Sequence, residues 1–364
     1  MLAEDYMDLA LRLAKSVDGQ TSPNPPVGAV VVKDGRIIGM GAHLKAGTAH
    51  AEVHALEMAG DEAMGSDLYV TLEPCSHFGK TPPCADLVVE KGIKKVWIAT
   101  TDPNPLVAGK GIEKMRKAGI EVEVGIGGQE AKNLYNVFFH YIQTKTPYVT
   151  IKTAITADGK TATFTGSSKW ITSEQARLDV HKLRHQNDAI LVGINTILKD
   201  NPLLTTRLPQ GGKNPIRIVL DTHLRIPEDV HVVADSSVKT IIVCGKNASN
   251  EKEALLQNRN NLTIMRQNTE TIHIPTLLEE LGQLGMMTLF VEGGAEVNAS
   301  FLKEQAFQKL IVYTAPKLVG GKTSPGPFGG EGMELMESAL PLQFTNVEMI
   351  GPDIKITAIL KKGT

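Results

Sequence analysis

The chain has 364 residues, with 38 basic and 40 acidic side chains and a net charge of -2. At about 150 residues per domain, this length predicts two domains. The composition, 42% hydrophobic with 34 glycines, excludes a disordered, collagen-like or coiled-coil chain, and the balanced charge disfavours a non-specific nucleic-acid binder while leaving small anionic substrates open. An acidic N-terminus and the lack of a long apolar run predict a soluble, cytoplasmic protein without a membrane span.

The predicted elements of the first half alternate between helices and strands. Apolar residues at helical spacing between Tyr6 and Leu13 predict a helix, and Asp34-Gly35 between two apolar runs predicts a hairpin over 28–41. Further helices are predicted at 50–58, from 84 onwards and at 112–118, with strands at 68–72, 96–99 and near 122. An amphipathic segment at 134–141 precedes a polar stretch, so we expect an α/β layered domain at 1–145.

The second half restarts with a strand and repeats the alternation. Strands are predicted at 148–154, 189–192, 216–220, 240–243, 289–291 and 310–313, and helices at 173–184, 251–257, 276–284 and 296–305. The segment 342–360 is typical of a terminal hairpin, and the Pro- and Gly-rich stretch 324–330 predicts a mobile loop. We therefore expect a second α/β domain at 146–364.

One histidine and two cysteines in the first half are potential zinc ligands. His50-Ala51-Glu52 opens a predicted helix, and Cys75 and Cys84 follow a predicted strand. Three such ligands leave the fourth position of tetrahedral zinc open for a water molecule that the metal can activate. With two cysteines available, Glu52 is better suited to general acid/base work than to ligation. This spacing of histidine and glutamate, with Pro-Cys and a second cysteine, is typical of nucleobase deaminases.

Alternatives to a catalytic zinc site remain at this point. His50 and His54 are spaced like the histidines of zinc-protease helices, although there the glutamate directly follows the first histidine. A purely structural zinc site would need a fourth ligand, which His77 could supply. Eight residues separate the two cysteines where the common deaminase pattern has two, and Lys80 within this insert would suit a phosphorylated substrate. Cys244, inside an apolar strand, is predicted to be a buried core thiol.

A glycine pair marks a possible nucleotide site in the second half. Val291-Glu292-Gly293-Gly294 connects a predicted strand to a predicted helix, and backbone amides at a helix N-terminus bind phosphate groups. Taken alone, a Gly-Gly turn between a strand and a helix serves close packing as often as it binds a phosphate group. Polar residues also cluster at predicted strand ends, where ligands lie in open α/β sheets. These patterns predict a site of nucleotide size.

Together the motifs resemble the bifunctional riboflavin-biosynthesis deaminase/reductases of bacteria, over essentially the whole chain. The matching segments of the first half are Asn24-Pro25-Pro26-Val27-Gly28, His50-Ala51-Glu52, Glu73-Pro74-Cys75-Ser76-His77 and Lys80-Thr81-Pro82-Pro83-Cys84. The matching segments of the second half are Ser168-Lys169-Trp170-Ile171-Thr172, Val192-Gly193, Thr196 with Asp200-Asn201-Pro202, Val291-Glu292-Gly293-Gly294 and Ala315-Pro316-Lys317. The long insert between the cysteines distinguishes this family from tRNA and cytidine deaminases.

The resemblance implies a cytidine-deaminase-like three-layer domain followed by a dihydrofolate-reductase-like domain. It implies two consecutive reactions. The first is the deamination of 2,5-diamino-6-(5-phosphoribosylamino)pyrimidin-4(3H)-one. It uses zinc held by His50, Cys75 and Cys84, and Glu52 is the proton shuttle. In the second, NADPH reduces the ribosyl group of the product to give 5-amino-6-(5-phosphoribitylamino)uracil.

The resemblance also implies further site residues. For NADPH they are Ala154, Trp170, Thr196, Asp200, Thr222 and Gly294. For the substrate of the reductase they are Ser168, Arg184, Leu204, Arg207 and Glu292, and for the deaminase pocket Asn24, His43, Lys80 and Asn104. The preference for NADPH over NADH is inherited from the family, as is a homo-oligomeric state, dimeric or tetrameric.

Two competing functions were weighed against this one. The first is a tRNA or nucleoside deaminase whose second domain only binds, which a short spacing between the cysteines or a basic face would have favoured. The second is a zinc-stabilised interaction module, which would need neither Glu52 nor an open ligand position. We expect no nucleic-acid or membrane partner.

Overall fold

The computed structural model describes residues 2–76, 82–104 and 107–361. The chain divides into two compact units, Met1–Lys145 and Thr146–Thr364. Each unit is built on its own β-sheet.

The first unit contains a five-stranded sheet in the order β2-β1-β3-β4-β5. Strand β1 is antiparallel to both of its neighbours, whereas β3, β4 and β5 run parallel. The strands are β1 Gly28–Lys33, β2 Arg36–Ala42, β3 Asp67–Val70, β4 Lys95–Ile98 and β5 Glu121–Val124. The helices are α1 Ala3–Ser16, α2 Ala51–Ala59, α3 Cys84–Glu90, α4 Lys110–Lys117, α5 Gly128–Leu134 and α6 Asn136–Thr144.

In the first unit, helices α1 and α2 pack closely against the hairpin formed by β1 and β2. Apolar residues of α2, α3 and α4 pack in one core with residues of β1, β3, β4 and β5. A Cβ atom on Gly41 of β2 would lie 2.4 Å from the Ala51 carbonyl oxygen, so α2 lies directly on the backbone of the hairpin. A Cβ atom on Gly28 would lie 2.0 Å from the Ala10 carbonyl oxygen of α1. The glycines therefore let both helices approach the sheet more closely than any other residue would allow.

The second unit contains a nine-stranded sheet in the order β10-β9-β8-β7-β11-β6-β12-β14-β13. The seven strands from β10 to β12 in this order are parallel, and β14 pairs antiparallel with β12 and with β13. The strands are β6 Tyr148–Thr156, β7 Ala189–Gly193, β8 Ile216–Leu220, β9 Thr240–Cys244, β10 Leu262–Arg266, β11 Thr288–Val291, β12 Lys309–Ala315, β13 Leu342–Ile350 and β14 Asp353–Leu360.

Helices cover both faces of this sheet. The helices are α7 Glu174–Gln186, α8 Ile194–Asp200, α9 His231–Ala234, α10 Asn250–Gln257, α11 Ile274–Gln283 and α12 Ala295–Lys303. Apolar residues of α7 to α10 contribute to one core, and those of α11 and α12 to another. A parallel sheet covered on both faces explains why β7 and β9 are continuous apolar runs.

Most predicted elements are confirmed, and the differences have local causes. The first hairpin forms with the predicted turn, and α3 begins at Cys84 as expected. Four of these elements were not predicted from the sequence: β10, whose residues are mostly only half-buried, and the short helices α5, α8 and α9. Asn201, with a φ of 39°, ends α8 in the left-handed conformation.

The Pro- and Gly-rich loop that was expected to be mobile is hydrogen-bonded to the rest of the unit. The Lys160 ammonium donates to the Ser324 carbonyl at 3.2 Å, and the Asn298 amide donates to the Pro327 carbonyl at 2.8 Å. In the part of the chain that the structure describes, no helix has the length and apolar character that crossing a bilayer requires.

Candidate active sites

The three predicted zinc ligands meet at the N-terminal ends of two helices. His50 is the N-cap residue of α2, Cys84 is the first residue of α3, and Cys75 lies in the segment that follows β3. Their donor atoms all lie within 4.8 Å of one another. The His50 Nδ1 atom is 3.2 Å from the Cys84 sulfur and 3.7 Å from the Cys75 sulfur.

These distances fit a tetrahedral zinc ion. With zinc bonds of about 2.0–2.3 Å, neighbouring ligand atoms of a tetrahedron lie roughly 3.6 Å apart. The donor set of one imidazole and two thiols also matches zinc chemically. Among the described residues this is the only such group of three histidine, cysteine or acidic side chains. The residues present therefore fit the metal.

The hydrogen bond between the two cysteines favours the thiolate at Cys75 and, together with burial, raises the pKa of Cys84. The hydrogen bond with Cys84 lowers the pKa of Cys75 to about 4, although burial opposes this shift. The Cys84 backbone N–H also donates to the Cys75 sulfur, at 3.3 Å. The hydrogen bond to Cys75 raises the pKa of His50. Of the three side chains, Cys75 is thus the one whose anionic form the surroundings favour.

Glu52 lies beside this group in the first turn of α2. Its side chain is 3% exposed and lines a cavity of about 380 Å³ together with His50 and Cys75. Burial raises the pKa of the Glu52 carboxyl, although the charge of His50 opposes the shift. A raised pKa makes this carboxylate a better proton acceptor, which suits a proton shuttle.

The predicted pocket residues Asn24, His43 and Asn104 line the same cavity. The Asn24 side-chain nitrogen is 3.0 Å from His43 Nε2, and His43 Nδ1 is 3.1 Å from the Ala49 carbonyl oxygen. The carbonyl can only accept, so Nδ1–H donates to it, and the Asn24 amide donates to Nε2. Burial lowers the pKa of His43, in agreement with this neutral ring. Lys80 and His77, also considered above, lie outside the described residues.

A second cavity of about 370 Å³ lies beyond the carboxyl ends of β7, β8 and β11. Three of the residues expected at the NADPH site line it, namely Thr196, Thr222 and Gly294. The two glycines before α12 differ in role. A Cβ atom on Gly293 would lie 2.5 Å from the Val297 side chain, whereas one on Gly294 would meet no atom within 4 Å. Gly293 is therefore needed for packing, and Gly294 leaves open space at the cavity.

The other residues expected at the NADPH site lie outside the lining of this cavity. Trp170 is 62% exposed, with the Arg177 guanidinium 4.5 Å from its ring centroid. Asp200 forms an ion pair of 3.2 Å with Lys169, the neighbour of Trp170. Ala154 lies on β6 in register with Tyr313 of β12.

A cluster of charged residues, Lys152, His181, Arg184, Arg207 and Glu292, lies at the end of β11. Arg184 donates two hydrogen bonds to the Glu292 carboxylate, at 2.6 and 3.1 Å, and the Lys152 ammonium is 3.8 Å from it. The Arg207 backbone N–H donates to His181 Nδ1 at 3.3 Å. Two arginines and a lysine around a single carboxylate leave a positive excess, which suits a phosphorylated substrate.

Burial and neighbouring charges together set the pKa values in this cluster. Burial raises the pKa of Glu292, but the charges of Arg184 and Lys152 outweigh it and lower the value to about 2. Burial and the charge of Arg184 lower the pKa of His181 to about 4. Burial lowers the pKa of Lys152, although Glu292 opposes the shift.

The remaining two residues expected at the substrate site differ in exposure. Ser168 is half-buried on the loop that also carries Trp170. Leu204 is 3% exposed, belongs to the apolar core and has a φ of 52°, so only its backbone could contact a substrate. Lys152 belongs to the charged cluster but is not among the residues that the family resemblance implies. Its signal is a lone lysine in the apolar strand β6.

Comparisons with known proteins agree with this division of the chain. A family model for the cytidine and deoxycytidylate deaminase zinc-binding region matches residues 2–100, and one for the RibD C-terminal domain matches residues 147–356. They confirm the two predicted fold classes, cytidine-deaminase-like and dihydrofolate-reductase-like.

Several relatives are similar over nearly the whole chain. The riboflavin biosynthesis protein RibD of Bacillus amyloliquefaciens is 52% identical over 100% of this chain and 97% of its own length. The RibD protein of Escherichia coli K12 is 38% identical over 97% of this chain and 98% of its own length. The solved structure of Acinetobacter baumannii RibD has a TM-score of 0.88 at 37% identity and covers 99% of each chain. A Thermotoga maritima diaminohydroxyphosphoribosylaminopyrimidine deaminase/5-amino-6-(5-phosphoribosylamino)uracil reductase has a TM-score of 0.86 at 37% identity and covers 98% of each chain.

Proposed function

This chain belongs to the RibD family of bifunctional deaminase/reductases of riboflavin biosynthesis, and from this premise we propose which of its residues carry each reaction. The enzyme requires zinc for deamination and NADPH for reduction. The observation that carries the proposal is the convergence of His50, Cys75 and Cys84 beside the buried Glu52 in one cavity. The proposal assigns deamination to 1–145 and reduction to 146–364.

In the proposed deaminase site, His50, Cys75 and Cys84 hold zinc, which when bound supplies a Lewis acid that activates water. Glu52 takes a proton from the attacking water and delivers it to the amino group that leaves as ammonia. Its burial keeps bulk solvent away from this proton. Asn24, His43 and Asn104, with Lys80, bind the pyrimidine and its phosphoribosyl group.

In the proposed reductase site, the cavity at Thr196, Thr222 and Gly294 holds NADPH, which when bound supplies a hydride. Ala154, Trp170 and Asp200 complete the cofactor site. The substrate is held by Ser168, Arg184, Leu204, Arg207 and Glu292. Arg207 suits its phosphate because a guanidinium binds phosphate bidentately, whereas the Arg184 guanidinium is paired with the Glu292 carboxylate and adds positive charge. Lys152 adds a third positive charge near Glu292, and we include it in this site.

The test follows both products with purified, zinc-loaded protein. NADPH absorbance and ammonia are measured after addition of the diaminopyrimidine ribosyl phosphate. The proposal expects NADPH oxidation to accompany ammonia in equal amounts. Ammonia release without NADPH oxidation would refute the assignments in the second unit. The absence of both signals would refute the assignments in both units.

A homo-oligomer and a cytoplasmic location belong to the same proposal, since the family resemblance implies both. Phe344 and Met349 are 67% and 63% exposed on β13, the last strand of the sheet, which supports an interface between copies. Sedimentation equilibrium tests the oligomeric state, and a monomer at micromolar concentration would contradict it.

A further inference from the structure

Glu73 is a buried acidic residue to which the two reactions assign no role. It lies three residues after β3 and two residues before Cys75, and it is 4% exposed. Its backbone N–H donates to the Thr100 carbonyl at 3.1 Å, which ties this segment to the chain that follows β4. An acidic side chain is seldom buried unless its oxygens are hydrogen-bonded.

The Glu73 carboxylate accepts hydrogen bonds from four backbone amides. One oxygen accepts from Asp102 at 3.4 Å and from Gly109 at 3.0 Å. The other accepts from Gly111 at 3.1 Å and from Ile112 at 3.4 Å. The four amides come from the two described parts of one stretch, 102–104 and 107–112, so one side chain holds both of them. A carboxylate has about four acceptor positions, so Glu73 has none left for a metal ion.

The second end of this stretch is also the beginning of α4. A Cβ atom on Gly111 would lie 2.2 Å from the Pro74 carbonyl oxygen, so the first turn of α4 lies against the segment that carries Cys75. A negative charge at a helix N-terminus is favourable because the free amides point towards it. Glu73 and Gly111 thus join α4 to the zinc-ligand segment.

The stretch that Glu73 holds forms part of the deaminase cavity. Asp102, Asn104 and Val107 line this cavity with His50 and Glu52. The Asn104 N–H donates to the Asp102 carboxylate at 2.8 Å, and the Val107 N–H donates to the Asn104 carbonyl at 2.8 Å. The position of Asn104 therefore depends on hydrogen bonds that begin at Glu73.

We propose that Glu73 is a positioning residue of the deaminase, which holds residues 102–104 and 107–112 so that Asn104 meets the pyrimidine substrate. It acts on substrate binding through Asn104 and has no part in the movement of protons. This inference rests on the deaminase site proposed above. It adds a residue that determines substrate affinity to a site whose chemistry is carried by Glu52.

The variant Glu73→Gln tests the proposal because it keeps the size of the side chain and removes half of its acceptor capacity. Two of the four amides then face an N–H₂ group. We expect the KM for ammonia release to rise about tenfold, with a smaller change in kcat and full zinc content. Glu113→Gln, on the exposed surface of α4, is the matched control and should keep the wild-type KM.

Hydrogen exchange measures the positioning directly and independently of activity. In Glu73→Gln, the amides of Asp102, Gly109, Gly111 and Ile112 should exchange faster, while those of β5 keep their rates. Unchanged exchange at these four amides would overturn the proposal whether or not the wild-type chain releases ammonia. Failure of the proposed function would appear separately, as a wild-type chain without ammonia release.

A double-mutant cycle shows whether Glu73 acts through Asn104. If it does, Glu73→Gln adds little to the KM of Asn104→Ala, whereas independent effects would multiply. A loss of zinc or a fall in kcat at unchanged KM would assign Glu73 to the support of Cys75 instead, and would overturn the proposal. Should Glu73→Gln not fold, Glu73→Asp carries the same test, because it keeps the charge and shortens the reach to the amides.

Discussion

Glu52 lies in the first turn of α2, two residues after His50, and is almost completely buried. The variant Glu52→Gln retains the zinc ligands and the shape of the cavity but cannot move a proton. We expect it to bind zinc normally and to lose ammonia release by a factor of about 10² to 10⁴, the usual contribution of general acid/base catalysis. The measurement is ammonia production alongside metal content. Undiminished turnover would remove Glu52 from the mechanism.

Glu292 makes the stability of the second unit depend on pH. Its pKa is about 2 in the folded chain and 4.5 as an unperturbed group, so folding favours the charged form. The stabilisation, about 3 kcal/mol, is complete above pH 4.5 and is lost as the pH falls towards 2. We expect urea unfolding, followed by hydrogen exchange of β11, to show this loss in the wild type.

The variant Glu292→Gln isolates that contribution. At neutral pH it leaves Arg184 and Lys152 buried without a counter-ion, which should cost about 3–5 kcal/mol. Between pH 4.5 and 2 its stability should fall less steeply than that of the wild type. The exposed Glu337→Gln serves as control and should keep the wild-type slope. An equal slope in Glu292→Gln would show that this carboxylate does not titrate with unfolding.

Residues whose chemistry is local could be predicted from the sequence, and residues whose role depends on distant contacts could not. His50, Cys75 and Cys84 are recognisable because imidazole and thiol groups at this spacing have few other uses. Glu73 stands in the same motif, but its four amide donors lie 29 to 39 positions further along the chain. Nothing in the local sequence indicates those partners.

At the scale of elements, the fit of α2 on β2 decides where Glu52 lies. A methyl group at Gly41 would overlap the Ala51 carbonyl and the backbone nitrogen of Ala55, at 2.4 and 2.8 Å. We expect Gly41→Ala to displace α2, to lower the stability of the first unit by about 1–3 kcal/mol and to reduce ammonia release by about tenfold or more. NADPH oxidation with the deaminated substrate, measured on the same variant, should be unchanged. Normal ammonia release would show that α2 tolerates the extra methyl group.

Sequence patterns predicted the fully buried strands well and the less buried or very short elements poorly. The apolar runs of β7 and β9 are buried on both faces, so their pattern is unmistakable. The sequence pattern of β10 is weak because most of its residues are only half-buried. The pattern of α8 is weak because its seven residues form less than two full turns and few of its side chains are buried. Pairing of β10 with β9 is a tertiary contact that compensates for its weak local pattern.

At the scale of the whole molecule, each activity is expected to depend on its own unit. All three proposed zinc ligands belong to the first unit, and the cavity at Thr196 and Gly294 belongs to the second. Two sheets with separate apolar cores make each unit a folding unit of its own. The sequence indicated this organisation because the alternation of elements restarts after a polar stretch. It could not indicate which residues within each half line the cavity of that half.

Removal of zinc should therefore separate the two reactions. A chelator that strips the metal from His50, Cys75 and Cys84 should abolish ammonia release and lower the thermal stability of the first unit, because metal binding contributes folding free energy. Reduction of 5-amino-6-(5-phosphoribosylamino)uracil by NADPH should continue, since the described part of the second unit offers no comparable group of ligands and its single cysteine, Cys244, is buried. Added zinc should restore ammonia release. Loss of NADPH oxidation in parallel with zinc would mean that the fold of the second unit depends on the metal site of the first.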